Sequence, residues 1–270
     1  MLGLDETLDM DKTCIANFAD GTEQRAMPFQ EGSEIAFTEK IENMHQGMEG
    51  VALEPEIRYD IPNCEVAMVT GDPFGNACKM DFEQGDNPYN ASGNCGLVSI
   101  SNMLRRAGMD VSEKDVTRCA IDSGLCDYNP MGSADNNGGT TIEMRRDILN
   151  KFGVASDICP SGNGGTLEDI ADAIDSGRGV LISVNAGELW DCDDGSVPFW
   201  GRPVSNHCIM VTGIARNAAT GEIAGVYIAD SGRGIAGDAC RYLTVEKFDE
   251  AYTNVYGSGA NITRNPVMMA

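Results

Sequence analysis

The chain changes character past its midpoint: apolar residues between 92 and 177 recur at helical spacing, and those between 180 and 264 at strand spacing. Leu97, Val98, Ile100, Met103 and Leu104 mark the buried face of a helix that stops at Gly108. Ser112-Glu113-Lys114-Asp115 caps a second predicted helix running to about Cys119, and a Gly/Asn/Pro-rich loop fills 122–139. Thr140 and Thr141 open a third through Ile148, ended by Gly153; Thr166 caps a fourth, carrying Leu167, Ile170, Ala171 and Ile174, that ends at Gly177. Strand-like runs follow at Val180–Val184, Cys208–Ile214 and Val226–Ala229, with a last one around Asn261–Arg264. Asn217 and Gly221 mark a hairpin between the second and third runs. Helices first and strands second predict an α+β domain with helices packed on an antiparallel sheet.

The region before this pattern differs in charge. The first 85 residues hold 18 acids against 5 bases, over half of the chain's net charge of −23. Weak helical periodicity runs through Ile35–Met44, and a short strand-like run, Val66–Thr70, is closed by Gly71-Asp72-Pro73. The expected organisation is an acidic N-terminal region, residues 1–80, acting as leader, spacer or pro-segment, followed by a domain over 81–270. A surface this acidic repels a phosphate backbone, which excludes nucleic acid as a partner. No apolar run approaches the ~20 residues needed to cross a bilayer, so no membrane insertion is expected. The start, MLGLDETLDMDKTC, shows neither the basic nor the apolar segment of a secretory signal. The expected location is the cytoplasm, or outside the cell by a non-classical route or as part of a larger protein.

Ten cysteines permit disulfides without requiring them at this length. There is no CxxC, and His45 and His207, the two histidines, are far apart, so neither a metal nor a cofactor is expected. One cysteine stands apart. Cys95, within Ser92-Gly93-Asn94-Cys95-Gly96, falls in the first turn of a helix, where free N–H groups and the positive dipole end favour a thiolate. His207 opens a strand after the polar Ser205-Asn206. The neighbouring strand Val226–Ala229 runs into Asp230-Ser231-Gly232, so Asp230 can accept a ring N–H from His207, although Asp-Ser-Gly is also a common turn.

The order Cys, His, Asp, with the cysteine on an early helix and the others on successive late strands, resembles the papain-like fold. More narrowly it is similar to bacterial peptidase-C39-like domains, named after the peptidases that trim double-glycine leaders from exported peptides. The segments that carry the resemblance are NCGLVSISNMLRRAG (94–108), GGTTIEMRRDILNKFGV (138–154), VLISVNAGELW (180–190), NHCIMVTGI (206–214), VYIADSG (226–232) and LTVEKFDEAY (243–252). The resemblance implies a cysteine peptidase acting on a peptide or protein substrate, with Cys95 as nucleophile, His207 as base then acid, and Asp230 as orienter. It also implies an oxyanion-binding glutamine about six residues before the cysteine, where this chain has Tyr89. Gln84 fills that role if the loop Gly85–Asn94 is long, and Asn90 offers the alternative amide. Acyl transfer or glutamine deamidation by the same residues, and a non-catalytic binding module on a decayed peptidase fold, are the competing functions.

Overall fold

The computed structural model describes residues 54–75 and 77–267, together with the backbone of two paired strands, β1 (Ile15–Asn17) and β2 (Glu23–Arg25). The helix expected over Ile35–Met44 lies outside the described residues.

The four expected helices form. The first, α1 (Cys95–Arg106), buries Leu97, Val98, Ile100, Met103 and Leu104 completely, and Gly108 ends it at φ +78°. The second, α2 (Glu113–Asp122), starts on the Ser112/Asp115 capping box and runs three residues beyond Cys119, because the turn comes only at Gly124 (φ +63°). Next come α3 (Ile142–Lys151), opened by Thr141, and α4 (Leu167–Asp175), opened by a Thr166/Asp169 box.

An eight-stranded sheet carries the rest, and every pairing in it is antiparallel. Its long element is β7 (His207–Asn217), buried from His207 through Ala215. Along one edge β7 meets first β6 (Arg178–Val184) and then β4 (Ala67–Thr70); along the other it meets β8 (Ile223–Ala229). Beyond β6 lie β10 (Gly259–Pro266) and β5 (Ser156–Pro160); beyond β8 lies β9 (Arg241–Thr244), and β3 (Glu56–Arg58) flanks β4. Helix α1 lies on this sheet in one apolar core with Ile209, Met210 and Val211, and Ser99 Oγ donates to Cys208 O at 3.0 Å.

Two departures from the expected pattern have physical causes. Strand β5 interrupts the run of helices, since Ser156-Asp157-Ile158-Cys159-Pro160 has little apolar alternation and owes its form to pairing with β10. Residues 56–58 and 67–70, from the acidic stretch, join the sheet. Ala67 and Val69 are buried there, and the buried Arg106 guanidinium ties Gly71 O to Thr212 O. Two short helices, α5 (Ala186–Trp190) and α6 (Val245–Phe248), complete the domain.

Candidate active site

Helix α1 begins with a bare end. Asn94 holds the cap position, yet its side chain makes no cap bond and donates instead to Glu113 Oε1 (2.6 Å) and Thr117 Oγ1 (3.3 Å). Intrahelical bonding starts only where Leu97 and Val98 donate to Asn94 O. The N–H groups of the first turn and the positive end of the helix therefore face the half-buried Cys95 thiol without a competing side chain.

Strands β7 and β8 supply the facing wall. Met210 pairs with Ala229, so extending the antiparallel register places Asp230 across from Ile209, on the sheet face that His207 shares. The His207 Nε2 lies 2.7 Å from Asp230 Oδ1, which leaves Nδ1 for the side of the Cys95 thiol, whose charge the ring favours. Asp230 is wholly buried and accepts two further bonds, from Gly232 N–H to Oδ1 (2.9 Å) and from Trp190 Nε1–H to Oδ2 (2.8 Å). Trp190, the last residue of α5, also packs its ring 5.1 Å from the imidazole. Gly232 is required beside this cluster: a Cβ there would meet Trp190 Cη2 at 2.7 Å and His207 Cε1 at 2.9 Å.

These contacts set the charges. Burial alone would raise the Cys95 thiol, but the adjoining His207 ring, the Cys208 N–H and the Arg145 guanidinium outweigh it and hold the thiol below its ordinary 9.0. Burial would equally strip the His207 proton, yet Cys95 and Asp230 hold it on the ring above the ordinary 6.5. Asp230 is brought down to about 2, burial being outweighed by the bond and charge of His207 with help from Gly232 and Trp190. Cys208, next along β7, is pushed up to about 11 by burial and stays a neutral thiol.

Of the two amides, Gln84 is brought to this region. Its backbone N–H donates to Ser231 O (3.0 Å), its Oε1 accepts from Ser231 Oγ (3.4 Å), and its Nε2 donates to Ser92 O (2.6 Å). It thus spans the residue after Asp230 and the segment before Cys95, and its Nε2 carries a second hydrogen. Asn90 is exposed at φ +54° and its amide is directed at Gly132 O (3.5 Å), in the loop before α3, rather than at Cys95, His207 or Asp230.

Two residues of the site were not legible as such. Trp190 closes a segment whose strand and helix are readable, but its link to Asp230 crosses 40 residues. Arg145 shares the buried face of α3 with Ile148 and Leu149, and a cation on an apolar stripe is the signal that points to it. Among the described residues the nine cysteines are free, and no group of three or more His, Cys, Asp or Glu side chains is arranged to hold a metal.

No curated protein sequence matches the chain. Among solved structures, the crystal structure of a double glycine motif protease from an AMS/PCAT transporter in complex with the leader peptide is similar at 14% identity and a TM-score of 0.38, over 64% of this chain and 86% of that one. The description of the Peptidase_C39 like family matches residues 81–260, two thirds of the chain and all of the segments that bear Cys95, His207 and Asp230. The chain belongs to the C39-like peptidase family.

Proposed function

We propose that residues 81–270 form a papain-like cysteine peptidase unit that hydrolyses peptide bonds with Cys95, His207 and Asp230. The observation that supports it best is the 2.7 Å contact of the His207 ring with the buried Asp230 carboxylate, beside a thiol at an uncapped helix start whose charge that ring favours. In this reading a lone pair of the Cys95 thiolate forms a bond to the scissile carbonyl carbon, and the carbonyl π pair moves to the oxygen. The oxyanion is held by the Cys95 N–H and the second Nε2 hydrogen of Gln84. His207 gives its Nδ1 proton to the departing amine and then takes one from the water that splits the thioester, while Asp230 keeps the ring oriented. The strands at 56–58 and 67–70, which precede this unit in the chain, pair onto its sheet through β4 and β7.

The test is mass spectrometry of a peptide library incubated with the protein and with its Cys95→Ala form. Cleaved peptides that appear with the first and not the second are expected. A gain of about 1 Da on glutamine without cleavage would assign deamidation, transfer of an acyl group to an added amine would assign acyl transfer, and an unchanged library from a folded protein would leave a binding module.

A further inference from the structure

Arg145 is 3% exposed and lies beside the nucleophile helix, where Gly96, next to Cys95, has no side chain to obstruct its Cδ. Each of its three nitrogens is committed to a neutral oxygen. Nε donates to Asn261 Oδ1 (3.0 Å), Nη1 to Thr140 O (3.4 Å) and Nη2 to Ser183 Oγ (2.5 Å). Four elements of the fold thus converge on one guanidinium: α3, the loop before it, β6 and β10. Among the described residues, no ion pair with a carboxylate includes it.

A buried cation without a counter-ion is strongly disfavoured, because it has lost its hydration without a charge to replace it. Glu143, whose charge Arg145 also favours, is exposed to solvent; the anion it can face inside the fold is a thiolate, and of the two cysteines whose charge it influences, Cys208 stays neutral. Taken with the proton on His207 and the carboxylate of Asp230, these four groups, three of them buried, then alternate in sign from Arg145 to Cys95 to His207 to Asp230 and sum to zero. Without Arg145, the same array would carry one uncompensated negative charge.

We propose that the Arg145 guanidinium is the counter-charge of the half-buried Cys95 thiolate and acts as a positioning residue for the nucleophile. The inference rests on the reading of Cys95 as that nucleophile. Asn261, Ser183 and the Thr140 carbonyl serve as the cradle that aims the charge. The fully extended neutral partner set explains why the arginine is not silenced by a local acid, as the arginines at 58, 146, 216 and 264 are.

The test is the pH profile of Cys95 alkylation by iodoacetamide, located by mass spectrometry of the Cys95 peptide in the full chain. Arg145→Gln keeps hydrogen-bond donors and removes the charge; it is expected to move the midpoint up by roughly one pH unit, about a tenfold slower reaction on the acid limb. Arg145→Lys, which keeps the charge, is expected to restore most of the difference. Should Arg145→Gln fail to fold, Arg145→Met reads the same quantity. Coinciding profiles for the wild type and a folded neutral variant would overturn the role of Arg145 while leaving Cys95 as nucleophile. A wild-type Cys95 no more reactive at pH 6 than the other thiols would overturn both.

Discussion

Asp230→Asn is a sharper probe than it first looks, because the carboxylate accepts from three donors on two oxygens. His207 and Gly232 use Oδ1, and Trp190 uses Oδ2. An asparagine that keeps its oxygen towards His207 turns its NH2 group on the Trp190 N–H, and the flipped rotamer opposes two donors instead of one. The loss of charge is worth roughly 2 kcal/mol, from a carboxyl lowered from 3.8 to about 2. The opposed donor adds about 1–3 kcal/mol. In a Trp190→Phe background the opposition disappears and only the charge component remains. Urea unfolding of the four proteins at pH 7 is therefore expected to give a double mutant more stable than the sum of the singles by about 1–2 kcal/mol. The pH dependence has a definite sign: a depressed folded-state pKa contributes stability above 3.8 that is lost as pH falls through about 2. The gap between wild type and Asp230→Asn should narrow over that interval. Additive effects within about 0.3 kcal/mol at pH 7 would refute the opposed-donor argument. Turnover of Asp230→Asn is expected to fall on the order of tenfold to a thousandfold.

Gln84→Ala is expected to lower turnover by ~10²–10³ as one oxyanion donor is lost, while Asn90→Gly, which suits φ +54°, leaves it nearly unchanged; the reverse ranking would reassign the donor. Gly232→Ala should cost about a hundredfold in turnover at near-native folding by circular dichroism, because its methyl displaces Trp190 and His207; full activity would show that the cluster tolerates the shift. Turnover against pH should form a bell with its acid limb below 9.0, set by the lowered thiol, and its alkaline limb above 6.5, set by the raised imidazole; activity that begins only above pH 9 would sink the ion pair.

Much of the site is readable along the chain because each group sits where an element begins or ends. Cys95 starts a helix, His207 starts a strand and Asp230 follows one, and those boundaries follow from local chemistry. The antiparallel character of the sheet is legible from helices preceding strands and from the hairpin signal at Asn217 and Gly221. What escaped depends on partners far away in sequence. Strand β5 takes its form from β10, β9 from β8, and Trp190 gains its role only through Asp230. The different surroundings of Gln84 and Asn90 depend on where a loop folds back, since Gln84 is anchored by Ser231, 147 residues away.

The place of β10 bears on when a newly made chain can become complete. The last strand in sequence is inserted between β6 and β5, and it brings Asn261 to Arg145. A growing chain that has already emerged past His207 still lacks this strand. At roughly 5–20 residues per second, the interval before Pro266 follows is about 3–12 s. During that time β6 has an unsatisfied edge and the Arg145 cradle lacks one wall, so the nascent protein carries Cys95 and His207, and in the later part of the interval Asp230 as well, before the frame that holds them is closed.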